Sequence, residues 1–269
     1  MGKTKDTSPK GKRKVLRIVL GTLGAIVLIG GIAISSIANT NVKAMNSTVD
    51  AALTALNASY TVTPVDVGDY KEMTISGLMK FDVEQYDIEG LGNLSVMRMN
   101  MGLMQMATFV ITPQDKNMPL LSADYMYILS NRKAYLEFYD VVKEKDTAYN
   151  SLLNELALTI QGYDYLEDIE ASEAWYADLL TVTSYKGGTA DVDNDLETLL
   201  VDSLNVYLSH AKTLPILTDV EKAEKLAITV AYTDGLIEKG GISTDVFKKE
   251  LGAEETKYFF DNIFFGTAK

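Results

Sequence analysis

Three places in the chain bring together side chains able to do chemistry. The first is the run PQDKNMPLLSADY, from Pro113 to Tyr125, where a turn leads through Pro119 into a strand carrying Asp124. A carboxyl at a strand end is ordinarily a surface group, because Asp is rarely buried unpaired. Held in an apolar pocket, the same carboxyl has a raised pKa and can donate a proton. Both readings are open for Asp124. The second place is residues 94–101. Strand alternation there puts Met97, Met99 and Met101 on one face and Val96, Arg98 and Asn100 on the other. Nine of the eleven methionines fall between Met73 and Met126. Methionine fills irregular gaps in cores, and it also makes pliable walls for large planar ligands. A buried Arg98 would need an anionic partner or a solvated cavity.

The third place is Asp191-Val192-Asp193-Asn194-Asp195. It begins like a calcium loop, but Leu196 stands where the loop needs Gly and Asp202 where it needs Glu. The run reads instead as acidic N-capping of the helix that follows. No resident metal is expected. The chain has no cysteine and a single histidine, His210. That excludes disulfides, thiolate metal sites and a cysteine nucleophile, and leaves little room for a multi-histidine site or a Ser-His-Asp triad. His210 falls near the end of its helix and reads as a dipole-facing or surface residue.

The elements that must position these residues follow from periodicity. Residues 39–60 repeat apolar side chains at three- and four-residue steps and predict a helix. From residue 73 to about 142 the period shortens, and strands are expected at 73–81, 94–101, 104–112, 122–129 and 133–139. The helical period returns at 147–161, 196–214 and 220–238, with two short helices after Ser243. Residues 163–195 are the least regular and read as a surface excursion. Gly187-Gly188 and Gly240-Gly241 read as turn glycines. A strand block followed by a helix block predicts one α+β domain, a central antiparallel sheet with helices packed on it.

The net charge of −12 conceals a division. Residues 1–17 carry seven basic side chains and one acidic, a net +6, so the remainder carries −18. Directly after come 21 residues, 18–38, without a charge, long enough for a helix to span a hydrocarbon core. A cleaved signal peptide competes, with Ser36-Ile37-Ala38 offering small residues, but the apolar run is longer than the roughly 7–15 residues of such a segment. The expected organisation is a basic cytoplasmic tail (1–17), a single transmembrane helix (18–38) and an extracytoplasmic domain (39–269), in a bacterial cell membrane. An acidic domain argues against nucleic acid as a partner.

With these residues in place the chain resembles a known family. LSVMRMNMG, then MQMATFVITPQDKNMPLLSADYMYILSNRKAYLEFYD, is similar to the central sheet of the ferredoxin-dependent bilin reductases, with a proline turn, a second proline and an Asp on the next strand. The segment from Val206 to Gly266 is similar to the family's closing helices, and the related red chlorophyll catabolite reductases share the layout. The resemblance covers roughly residues 40–266 of the sequence. It implies an α/β/α sandwich with a seven-stranded antiparallel sheet and a cleft for an open-chain tetrapyrrole. It places the family's proton-donating Asp on Asp124, its His-x-Glu pair on Arg98 and Asn100, and its second His on Thr108. Arg98 would then bind a propionate or other carboxylate as a bidentate donor.

Three functions are therefore expected to compete. One is a reductase of a linear tetrapyrrole or similar conjugated ligand, with Asp124 as proton donor and a redox partner protein supplying electrons. The second is a non-catalytic module holding heme or a bilin through Arg98 and the methionine wall. The third is a cell-surface protein whose acidic face serves a protein partner. No intrinsic cofactor is expected in any of them.

Overall fold

The computed structural model describes residues 31–171, 174–240 and 242–268. The chain opens with helix α1 (Gly31–Asn57), followed by β1 (Val62–Val65), β2 (Glu72–Ile75), β3 (Met79–Ile88), β4 (Gly92–Met101), β5 (Met104–Pro113), β6 (Leu120–Ile128) and β7 (Asn131–Tyr139). Helix α2 (Thr147–Gln161), β8 (Glu167–Asp168), β9 (Leu180–Thr189) and α3 (Asp193–Thr213) come next. Then α4 (Asp219–Lys239), α5 (Ile242–Leu251), α6 (Ala253–Tyr258) and a π-helical turn, Phe259–Phe264, close the chain. All pairings are antiparallel. The sheet runs β1-β3-β4-β5-β6-β7-β9-β8, with β2 pairing β3 off this path.

Each face of the sheet has its own apolar layer. On one face, Ala107, Phe109, Leu121, Ala123, Leu136 and Phe138 meet stripes at three- and four-residue steps: Met45, Val49, Ala52 and Leu56 of α1, Leu152 and Leu156 of α2, Leu200 and Leu204 of α3. On the other, Val83, Met97, Met99 and Val110 meet Tyr232 and Leu236 of α4, Phe247 of α5 and the phenylalanines of the π turn. The architecture is thus α+β, helices on both faces of one antiparallel sheet, as the strand-then-helix order predicts.

The π turn binds the sheet through a buried polar set. Ser95 Oγ donates to the Ile263 carbonyl at 2.7 Å, Gln85 Nε2 to the Asn262 carbonyl at 3.0 Å, and Asn93 Nδ2 to the Phe264 carbonyl at 3.3 Å. These bonds satisfy buried polar groups where an apolar turn packs on β3 and β4. Helix starts are capped locally. Asp146 Oδ1 accepts from the Tyr149 amide at 2.7 Å, and Thr218 with Glu221 forms a capping box.

Several expectations are corrected. The single strand at 73–81 is a hairpin, because Ser76 and Gly77 both take left-handed backbone (φ 54° and 69°) and reverse the chain between β2 and β3. The sheet has nine strands among the described residues rather than seven, β1, β2 and β8 being short additions at its edges. The excursion at 163–195 contains β9, which pairs with β7 from end to end. The acidic run does not cap α3, whose cap position is Val192 without a side-chain bond. Asp193 and Asp195 lie in its first turn instead. The first of the two short closing helices begins at Ile242, with Ser243, Thr244 and Asp245 inside its first turn. Residues 18–30 of the expected membrane span and the whole basic tail lie outside the described residues, and the rest of the span, from Gly31, opens α1. Among the described residues no helix is long and apolar enough to cross a membrane.

Candidate functional site

Strand register sets one transverse row of side chains across the middle of the sheet. Val83, Met97, Thr108, Asp124, Tyr135 and Tyr185 are successive partners from β3 to β9. All six point to the face that α4–α6 cover, since alternate residues share a face. The next row adds Ser122, Glu137 and Thr183. The β3–β4 end of this face is apolar and rich in methionine, and the β6–β9 end is polar and rich in tyrosine.

Asp124 is half-buried at the junction. Its Oδ1 accepts from Thr108 Oγ1 at 2.5 Å and its Oδ2 from Ser122 Oγ at 3.5 Å. Burial pushes its pKa from 3.8 up to about 6. The Thr108 hydrogen bond pulls it down, the charge of Glu137 pushes it further up, and the Ser122 bond pulls it down again. No basic side chain offsets this: among the described residues neither Asp124 nor Glu137 forms an ion pair.

Glu137 is held by tyrosines. Tyr185 Oη donates to its Oε1 at 2.9 Å and Tyr139 Oη to its Oε2. The rings pack as a cluster, with centroid separations of 5.0 Å for Tyr139–Tyr232, 5.7 Å for Tyr139–Tyr176 and 5.4 Å for Trp175–Tyr176. Burial raises the pKa of every phenol in the cluster, Tyr176 to about 12, so all stay protonated donors near neutral pH. A cleft of about 220 Å³ opens beside Glu137, lined also by Tyr135, Tyr176, Tyr185, Ala177 and Leu180.

Of the four residues singled out in the sequence, Asp124 and Thr108 are brought into contact here. Arg98 and Asn100 are not. They lie on the opposite face of β4, the face toward α1, where Arg98 Nη1 pairs with Glu84 at 2.6 Å and Arg98 Nη2 approaches Asp50 of α1 at 3.8 Å. Arg98 has the anionic partners that a buried guanidinium needs, and they come from the protein itself. Asn100 Oδ1 accepts from Gln105 Nε2 at 3.1 Å and from the Gly102 amide at 3.2 Å at the β4–β5 turn. The residue of β4 that faces Thr108 is Met97.

Sequence reading missed Glu137, Tyr135, Tyr185 and Tyr176. The signal for two of them was present in β7, where Tyr135, Glu137 and Tyr139 alternate with Ala134, Leu136 and Phe138. A glutamate at such spacing among the apolar and aromatic residues 134–139 marks a carboxyl facing a layer. The acidic run disperses its carboxylates: Asp193 pairs with the buried Arg132, and Asp195 accepts from Tyr165 at 3.0 Å. His210, in the last turn of α3, bonds Glu155 at 2.7 Å, far along the chain from this site.

No family model matches the chain, and no curated protein is similar to it in sequence. Its fold does have a solved counterpart. Phytochromobilin synthase from tomato, crystallised in complex with biliverdin, superposes with a TM-score of 0.66 over 81% of this chain and 82% of that one, at 13% sequence identity. The fold of this chain is therefore the one seen in that synthase.

Proposed function

We propose that this protein is a membrane-anchored, extracytoplasmic relative of the bilin reductases in fold, and that it binds and reduces a linear tetrapyrrole or similar conjugated ligand on the Asp124 face of its sheet. The observation that carries this reading is Asp124 itself. It is a carboxyl with a pKa near 6, fixed by Thr108 and flanked by Glu137 and protonated tyrosines. An acid so placed is poised to give up a proton near neutral pH. Two-electron reduction of a conjugated ligand takes up two protons. Asp124 would supply one and solvent the other, while an external redox protein supplies the electrons. The solved structure with this fold holds biliverdin, which supports a ligand of that class.

The cleft as it stands is smaller than the roughly 300 Å³ at which small-molecule sites begin. A four-ring ligand therefore requires Tyr176, which lines the cleft, to swing aside together with Trp175, whose ring packs against it. Trp175 is the chain's single tryptophan, so its fluorescence reports that movement.

The full chain, in maltoside detergent, should be titrated with biliverdin and with heme, followed by absorbance and by Trp175 emission. A spectral shift with biliverdin, reduction under dithionite, and loss of reduction but not of binding in Asp124→Asn are expected. No spectral change with either pigment would remove the tetrapyrrole reading.

A second reading is favoured by one observation. Met97, not an ionisable group, faces Thr108, so only Asp124 on this row can give a proton near neutral pH. A module that binds without reducing would show the same titration and no turnover.

The +6 tail and the uncharged residues 18–38 support the membrane placement. Protease added to intact cells should remove the domain. Full protection in intact cells would overturn this topology.

A further inference from the structure

We infer that the tyrosine-lined cleft beside Glu137 is a binding site for a small organic cation, of the quaternary or alkylammonium class. This goes beyond the tetrapyrrole reading and does not depend on it.

The cleft combines the two features that such a cation needs. Its walls include three aromatic rings, Tyr135, Tyr176 and Tyr185. Tyr135 and Tyr185 form a corner, their centroids 5.7 Å apart and their planes inclined at 56°. An alkylated ammonium is attracted to aromatic faces because the ring quadrupole is negative above its plane. The same cluster already receives one ammonium group at its edge, where Lys239 Nζ lies 4.4 Å from the Trp175 ring centroid, beside Tyr176.

The second feature is uncompensated negative charge. Glu137 lines the cleft, and its oxygens are held by two phenols, not by a cation. Asp124 lies one row away and has no ion pair among the described residues. The part of the chain beyond the basic tail carries −18, so an anion would approach against the field of the whole domain. A neutral aromatic could fill the space but would leave Glu137 without a counter-charge.

Volume decides the size class. At about 30 Å³ per water-sized group, 220 Å³ takes about seven heavy atoms, the size of choline and far below a tetrapyrrole.

The test compares choline with 3,3-dimethyl-1-butanol, its neutral isostere, by calorimetric titration of the full chain in maltoside detergent, which carries no ammonium group. Choline should bind at least tenfold more tightly than the isostere. Glu137→Gln should weaken choline at least tenfold while leaving the isostere unchanged. Tyr135→Leu, which removes a ring but no charge, should weaken choline as well and keeps the idea testable if Glu137→Gln does not fold. Equal affinity for the two compounds, no binding of choline, or choline affinity unchanged in both variants overturns the proposal. Biliverdin titration of separate, choline-free samples distinguishes the readings: both ligands would use this cleft, but biliverdin binding without choline binding overturns this proposal alone, and choline binding without biliverdin binding removes the tetrapyrrole reading alone.

Discussion

Thr108 and Asp124 are direct partners across β5 and β6, and the threonine hydroxyl donates to the carboxylate at 2.5 Å. The bond stabilises the ionised form and opposes the burial that favours the neutral one. Thr108→Val keeps the shape and removes the donor. The Asp124 pKa should then rise above its value of about 6. Carboxyl-carbon NMR titration of a sample labelled at Asp would follow it. A pKa that stays at or below 6 in the variant would show that the hydroxyl does not hold the carboxylate.

The raised Asp124 pKa also makes a statement about stability. Between pH 3.8 and about 6 the folded chain holds a proton on Asp124 that the unfolded chain has released, so this group's contribution falls as pH rises through that window. At about 1.4 kcal/mol per pKa unit the full loss is about 3 kcal/mol at most. The groups facing the carboxyl are Thr108 on β5, Ser122 on β6, Glu137 and Tyr135 on β7, and Tyr176 and Tyr232 from the covering layer. Asp124→Asn keeps an acceptor for Thr108 and cannot ionise. Its stability relative to the native chain should therefore grow from pH 4 to pH 7.5, by about 1–3 kcal/mol. Urea denaturation at the two pH values measures the change. A constant difference would mean that Asp124 titrates normally.

The sequence makes the helices legible because their apolar stripes repeat at helical steps and their partners lie on one side. Thr147–Gln161 is recovered to the residue. It also makes the methionine face of β4 legible. What it leaves open is which face of β4 belongs to the site. Apart from Arg98, Asn100 and Met101, β4 is buried on both sides, so there is no polar alternation to fix its facing. A one-residue slip moves every side chain across the sheet. The resemblance lays the family's His-x-Glu pair on Arg98 and Asn100, one residue out of step with the face that carries Asp124, and pairing with β5 shows Met97 there. Among the other departures, β3 runs on past its expected end and β9 was not expected at all. In β3, Lys80, Asp82 and Glu84 alternate with buried Phe81, Val83 and Gln85, and the charges obscure the pattern. In β9 the pair Gly187-Gly188 looks like a turn, yet a Cβ at Gly187 would stand 2.5 Å from Ile169. The glycine is there for close approach of two segments.

Gly235 in α4 is a second case of close approach. A Cβ at this position would lie 2.3 Å from the Trp175 ring. Trp175 Nε1 also donates to the Gly240 carbonyl at 3.1 Å, which fixes the ring over the helix. Alanine would gain up to about 1 kcal/mol in helix propensity and would force the indole out of its place, an overpacking cost of typically 1–3 kcal/mol. Gly235→Ala should therefore lower the melting temperature and shift tryptophan emission to the red. Because Trp175 packs against Tyr176 at the cleft, biliverdin and choline affinities should both change with it. Unaltered emission would show that the ring tolerates the methyl where it stands.

Lys225 couples stability to pH with a sign opposite to that of Asp124. The residue lies on α4, is 3% exposed, and donates to the carbonyls of Met118 at 2.7 Å and Val141 at 3.2 Å. Burial lowers its pKa from 10.5 to about 7, and the charge of Asp140 only partly restores it. Asp140 itself is paired with Lys145 and accepts from Tyr149 at 3.3 Å, so its field at Lys225 is shared. Between about pH 7 and 10.5 the unfolded chain binds the proton that the folded chain has lost, and stability gained from this group rises with pH. Lys225→Met removes the titration and leaves the two carbonyls without their donor, a cost that does not depend on pH. The native chain should thus gain on the variant from pH 6.5 to pH 9.5, by at most about 1.4 kcal/mol per pH unit. Paired urea denaturation at the two pH values measures that gain directly. A difference that is flat, or that shrinks with pH, would show that Lys225 keeps its proton in the folded state.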